Sequence, residues 1–228
     1  MEPEAVVETA RRLAEALKPG DLDQTLSRIT AAAVEVLPEV DFCSITILHA
    51  DGSLDTSSPT DEKLWKLDQA QYQFREGPCY EAATTTVHVI SPDLANDERF
   101  PQYAAVAVRD GIRAHAGLRL FDGPKGRAAL NLYSETLGAF SDLASLGALF
   151  AHQSAVAIGY AYEIRELQEA VKTRGLIGQA VGIVMERYKL NDQRAFAFLA
   201  RLSQHGNIKL RRVAEQLVAT VPQPTDDR

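Results

Sequence analysis

Cysteine is scarce in this chain. Two cysteines, Cys43 and Cys79, stand in 228 residues. That is too few for a disulfide framework, and they do not form the CxxC spacing of a metal or redox pair. No stretch approaches the roughly 18 consecutive apolar residues of a membrane-spanning helix. The opening MEPEAVVETARR lacks the basic start and apolar run of a secretory signal. No acid–base or nucleophile set is evident, which argues against an enzyme. These absences together predict a protein of the reducing cytoplasm that stays off the membrane.

What is present is ordinary in amount and uneven in placement. The chain is 46% hydrophobic and 24% charged, as in soluble globular proteins. Its length suits one large domain or two modest ones. Residues 1–160 carry 13 basic and 23 acidic side chains, a balance of −10. From Lys172 to Ala214 there are nine basic residues and two acidic ones. A basic module therefore rides on an acidic body. Such a cluster is either the electrostatic footprint of a polyanion binder or a solvated bundle face.

Residues 173–218 read as three short helices. Leu176, Ile177, Ala180, Val184 and Tyr188 form one apolar stripe at helical spacing. Asn191-Asp192 starts a second helix, with Ala195, Phe198, Leu199 and Leu202 facing inward. Gly206-Asn207 breaks it, and a third carries Leu210, Val213, Ala214, Leu217 and Val218. Helices this short are marginal in water, so the three stripes must pack on one another.

The front of the chain mixes helices and hairpins. Helices are expected at 4–18, 22–37, 61–73 and 101–110, with Pro101 in a first turn. Cys43, Ile45 and Ile47 alternate with Ser44, Thr46 and Leu48, and Asp51-Gly52 turns this strand into a second. Further strands are expected at 87–90, 114–121 and 127–134, the last two joined through Asp122-Gly123-Pro124. This pattern predicts an α+β domain on an antiparallel sheet flanked by helices. From Ser141, read as a helix cap, a long helix runs onward. Ala157, Tyr160, Ile164, Leu167 and Val171 lie along it at coiled-coil spacing, the seam of a homodimer or a stripe packed on the sheet.

Two resemblances follow from these motifs. Arg174-x-x-Ile177-x-x-Ala180-x-Gly182-Ile183-x-Met185, Ala195-Phe196-x-x-Leu199 and Ser203-Gln204-x-x-Asn207-x-Lys209-Leu210-x-x-Val213-Ala214 resemble the ANTAR domain. Glu76-Gly77-Pro78-Cys79-Tyr80-Glu81-Ala82, with Ser91-Pro92-Asp93, Phe100-Pro101, Gly111 and Leu130-Asn131-Leu132-Tyr133-Ser134, resembles a GAF domain of the variety found ahead of ANTAR modules in actinobacterial regulators. The resemblance implies a GAF sensor at 1–160 and an ANTAR bundle at 161–221; the uninterrupted helical pattern gives a shared linker at about 145–173, and the polar, proline-containing PQPTDDR a disordered tail at 222–228. The resemblance also implies RNA binding that promotes transcription antitermination through paired stem-loops in leader transcripts.

Arg174, Arg187, Lys209 and Arg212 are then the expected phosphate contacts. Ser203 and Asn207 would reach bases or riboses, and Gly182 belongs to the same face. Where the family usually has a basic residue before that glycine, this chain has Val181, which leaves Arg174 or Arg187 to cover the contact. The alternative is a protein-interaction or dimerisation module whose bundle no longer binds RNA. Trp65, Tyr72, Tyr80 and Tyr133 are the expected lining of a small-molecule pocket in the GAF part. The resemblance names no cofactor. Some GAF proteins reduce methionine sulfoxide with a set of cysteines, for which Cys79 lacks a resolving partner, and His88, His115 and His152 are isolated candidates for a metal.

Overall fold

The computed structural model describes Arg11, Ala14, Lys18 and residues 20–37, 39–123, 126–141 and 143–221, with side chains except at 144–146. The expected helix at 4–18, apart from three residues, the Pro124 corner and the tail 222–228 lie outside these. The chain divides into two compact units, with the boundary between Glu163 and Ile164.

The first unit is built on a five-stranded antiparallel sheet. Helix α1 (Leu22–Val36) starts where the Asp21 carboxylate accepts the Gln24 amide at 2.9 Å. Strands β1 (Phe42–His49) and β2 (Leu54–Ser57) form a hairpin. Gly52 there takes φ +84°, which a side chain would resist. Helices α2 (Lys63–Phe74) and α3 (Pro78–Thr84) follow, then strand β3 (His88–Ser91). Helix α4 (Pro101–Arg109) has its proline in the first turn, as expected. Strands β4 (Ala114–Gly123) and β5 (Gly126–Ser134) complete the sheet in the order β2-β1-β5-β4-β3.

The two faces of the sheet bury different partners. Cys43, Ile45, Leu118, Leu130 and Leu132 pack with α1 residues Leu26, Ile29 and Ala33, and with Phe150, Ile158 and Ala161. Those last three belong to helix α5 (Ala144–Tyr188). The opposite face carries Val89 and Tyr133 against Leu64 and Leu67 of α2 and Tyr103 and Ala107 of α4. Period-two alternation along β1 thus feeds two separate cores. Gly117 is needed on this second face, because a Cβ there would collide with the Pro78 carbonyl at the start of α3.

Helix α5 differs from expectation at its start. It begins at Ala144, and the Ser141 hydroxyl donates to the Gly138 carbonyl at 2.6 Å instead of capping it. Ala157, the first position of the expected seam, is buried in the single chain at 5% exposure. Tyr160, Leu167 and Val171 remain 54%, 67% and 71% exposed.

In the second unit α5 is joined by α6 (Asp192–Gly206) and α7 (Leu210–Val218). Asn191 caps α6 by accepting the Arg194 amide at 3.0 Å, and Asn207 ends it in the left-handed region at φ +48°. Ala180, Val184, Ala195, Leu199, Val213 and Ala214 form the buried core. Leu202 and Tyr188, expected inside, are about half exposed. Tyr188 instead lies against Phe198, with ring centroids 5.4 Å apart. Leu199 is the largest of the six buried side chains, so Leu199→Ala is expected to cost about 2–5 kcal/mol. Limited trypsinolysis of the whole chain should then cleave the arginines of 174–212 faster while the sheet domain survives; unchanged cleavage would disprove the packing role.

Candidate functional site

Two groups of polar residues stand out, one in each unit. The first lies buried between the sheet and α2–α3. Ser44 and Thr46 point from β1 away from the apolar core and meet Asp68 and Tyr72 of α2 and Cys79 of α3. Asp68 accepts from Ser44 Oγ at 2.8 Å, from Thr56 Oγ1 at 3.0 Å and from the Tyr133 hydroxyl. Asn131 Nδ2 donates to Ser44 Oγ at 2.8 Å and to Thr46 Oγ1 at 3.0 Å. Thr46 Oγ1 also lies 2.7 Å from the Tyr72 hydroxyl and 2.6 Å from Cys79 Sγ. Tyr72 in turn sits 3.0 Å from Thr56 Oγ1.

Hydrogen counting orders these bonds. The proton of Thr56 is spent on Asp68, so Thr56 must accept from Tyr72. Tyr72 must then accept from Thr46, which accepts from the Cys79 thiol. Every bond in this row of hydroxyls leads to the Asp68 carboxylate. Burial raises its pKa to about 6 against the lowering effect of three hydrogen bonds, so desolvation wins. Burial, and then the Asp68 charge, hold the Cys79 thiol well above its usual value, which leaves it a poor nucleophile. Cys43 is on the opposite face of the sheet, in the apolar core, and is no resolving partner.

His115 sits behind this cluster. Its Nδ1 pairs with the Tyr103 hydroxyl at 2.8 Å and its ring stacks on Tyr133 at 4.2 Å. Burial pulls it down to about pH 3, so it is neutral. Among the described residues no group of three or more His, Cys, Asp or Glu is placed to hold a metal.

Of the four aromatics expected to line a pocket, Tyr72 and Tyr133 meet in this cluster. Trp65 does not: it is 48% exposed on α2. Tyr80 is partly buried on α3, and its carbonyl accepts from Thr84 Oγ1. Asp68 and Thr56 stand in no motif of the sequence, and Asn131 enters only within the Leu130–Ser134 motif. The one signal was the polar alternate face of β1.

The second group is the cationic surface of the bundle. Arg174, Gly182, Arg187, Asn207, Lys209 and Arg212 are all exposed. Arg174 lines a groove with Glu169, Thr173, Ile177 and Phe196. Phe196 is 47% exposed there. Glu169 also accepts from Arg211 Nη1 at 2.9 Å, which brings the first turn of α7 to the same place. Lys209 and Arg212 flank Arg211 on that turn. Arg212 meets Glu215 only at 3.9 Å, whereas Arg211 is held by both Glu169 and Glu215.

Arg187 belongs elsewhere, donating to Thr220 Oγ1 at 3.2 Å beside the far end of α7. Ser203 is committed to the α6–α7 turn, its hydroxyl donating to the Ile208 carbonyl at 2.6 Å. Val181 is partly buried on the bundle core and offers the surface no charge. Phe196, expected only as part of a motif, is the aromatic that the groove exposes.

An α+β domain with a polar heart, followed by a cationic three-helix bundle, defines a sensor-and-output class of protein. Residues 20–159 match the GAF domain family and residues 165–218 the ANTAR domain family. The chain belongs to the GAF family and carries an ANTAR domain behind it, the arrangement of a GAF–ANTAR regulator. The GAF family is one of signal-sensing domains, and the ANTAR family is one of RNA-binding antitermination modules.

Solved structures share the fold at low identity. Free methionine-R-sulfoxide reductase from Neisseria meningitidis is 13% identical with a TM-score of 0.53, covering 72% of this chain and 95% of its own. The GAF domain of an Acinetobacter phosphoenolpyruvate-protein phosphotransferase is 17% identical with a TM-score of 0.52, covering 73% and 99%. Bacteriophytochrome RpBphP3 from R. palustris is 12% identical with a TM-score of 0.57, covering 81% of this chain and 43% of its own. No curated protein matches the chain.

Proposed function

We propose that this chain is a signal-responsive RNA-binding regulator that promotes transcription antitermination by holding paired stem-loops of a leader transcript. The observation that carries this reading is the set of exposed cations near Glu169. Arg174 and Lys209 make no ion pair among the described residues, and Arg212 makes only a loose one. Cations of this kind take phosphates, and the open ring of Phe196 offers an unpaired base a stacking surface. Binding of a two-hairpin RNA, followed by fluorescence anisotropy in rising salt, tests it. Salt-dependent binding that prefers the two-hairpin RNA over a single hairpin is the expected result. No preference for RNA over other partners would instead favour a protein-interaction module, the reading to which Val181 gives support.

The partners proposed are this RNA, a small molecule at the GAF domain and a second copy of the chain, acting in the cytoplasm. Among the described residues no helix is long and apolar enough to cross a membrane. The dimer reading rests on the exposed stripe of α5. Val156, Tyr160, Leu167 and Val171 recur on one helical face and stand in water in the single chain. Sedimentation at micromolar concentration should show a dimer that Leu167→Glu with Val171→Glu converts to monomer. A monomeric parent would remove the claim.

A further inference from the structure

The face of the sheet that carries the polar cluster is filled by its own side chains, hydrogen-bonded from wall to wall. Space opens on the other face. A cleft of about 340 Å³ lies between the β3–β4 edge and the first turns of α5. That is within the range of about 300–1,000 Å³ typical of small-molecule sites. Its cause is local. The strands contribute the large side chains Ile90, Leu118 and Leu120, while α5 answers with Ala148, Ala151 and Ala155. Those alanines share one helical face, and none reaches the strand opposite.

The lining fixes the chemistry of an occupant. Among the described residues it is apolar in its walls and contains no aspartate or glutamate. His88 from β3 and His152 from α5 both border it and are both exposed, so each can present an N–H donor to a guest's polar end. Arg119 borders it as well, but its guanidinium is turned to the other face, where Nε donates to the Ala82 carbonyl of α3 at 2.9 Å. We infer that this cleft is a binding site for a small apolar carboxylate, its aryl or short alkyl body between the sheet edge and the α5 alanines and its carboxylate between His88 and His152. None of Trp65, Tyr72, Tyr80 and Tyr133 takes part.

The site has a direct output. One wall is the stretch Ala148–Ala155 of α5, the helix that continues to Tyr188 in the bundle. A guest there is held by β3 and β4 on one side and by this helix on the other, so occupancy ties the base of α5 to the sheet. Binding itself does not depend on the RNA reading.

The test uses the full chain and 2-naphthoate, a bicyclic aryl carboxylate, with 2-naphthylmethylammonium as its cationic counterpart. Saturable binding of 2-naphthoate at one site per chain is expected, with slowed hydrogen exchange at the amides of 148–155. Ala151→Phe, which fills the cleft, should weaken binding by about tenfold or more, and the paired change His88→Ala with His152→Ala by about three- to tenfold. The histidines are exposed, so that pair leaves the fold intact even if Ala151→Phe does not. Absence of saturable binding up to about 5 mM overturns the site, as does binding that neither variant changes. Equal binding of the ammonium overturns the carboxylate assignment. Should Ala151→Phe alter the dimer fraction while naphthoate never binds, the cleft is an interface between copies and the proposal fails.

Discussion

Replacing Lys209 and Arg212 together by alanine lowers the affinity of the chain for a two-hairpin RNA by about one to two orders of magnitude at low salt. Each cation that neutralises a phosphate releases condensed counterions. Losing two should reduce the slope of log affinity against log salt by about 1.4 to 1.8. These two residues are chosen for what they do not do. Both are exposed at the start of α7, outside the core of Ala180, Val184, Ala195, Leu199, Val213 and Ala214. Alanine is the best helix former, so α7 survives the change. Arg211 is the poor choice between them, because its loss frees Glu169 and Glu215 and loosens the bundle before it affects any RNA. Arg187→Ala, at the far end of α7, should weaken binding less than the pair. Unchanged affinity and slope in the double variant would place the interface elsewhere.

The second large effect is a pH dependence that belongs to Asp68. Its carboxyl is raised from 3.8 to about 6, with burial the leading cause. Between those values the folded chain keeps a proton that the unfolded chain has released. The Asp68 contribution to stability therefore falls as pH rises through that window: it is whole below about pH 4 and gone above about pH 6. A gap of about two units corresponds to on the order of 3 kcal/mol. Asp68→Asn removes the titration and keeps an acceptor for Tyr133, while its amide requires one of the Ser44 or Thr56 hydroxyls to turn. Urea unfolding of parent and variant at pH 4 and pH 7.5 reads the difference. The variant should gain on the parent by on the order of 3 kcal/mol between the two conditions. Parallel profiles would mean that Asp68 does not carry the proton.

Much of this architecture is legible in the chain because its cause is local. The Asn191 cap, the Asp51-Gly52 turn, Pro101 in a first turn and the three stripes of the bundle each lie within a few residues of what they determine. The buried cluster is different. Ser44, Thr56, Asp68 and Asn131 come from four elements, and the Asn131–Ser44 bond spans 87 residues. No periodicity links them; only the sheet register, which sets Ser44 opposite Asn131, brings them together. Ala157 shares a helical face with Tyr160 by spacing, yet it is buried while Tyr160 is exposed, a difference that periodicity alone does not carry. The motif places Ser203 with the RNA contacts, whereas the turn its hydroxyl closes depends on Ile208 behind a left-handed Asn207.

The hydroxyl file beneath α2 has a polarity. With Asp68 charged, Thr56, Tyr72, Thr46 and Cys79 all aim their protons the same way. One proton placed on Asp68 and donated back to Thr56 would reverse Thr56, then Tyr72, then Thr46, and leave the Cys79 thiol facing a hydrogen where it had a lone pair. Cys79 sits in the first turn of α3, whose start rests on Gly117 of β4. A single ionisation inside the sheet domain is thus felt four hydrogen bonds away, at the first turn of α3.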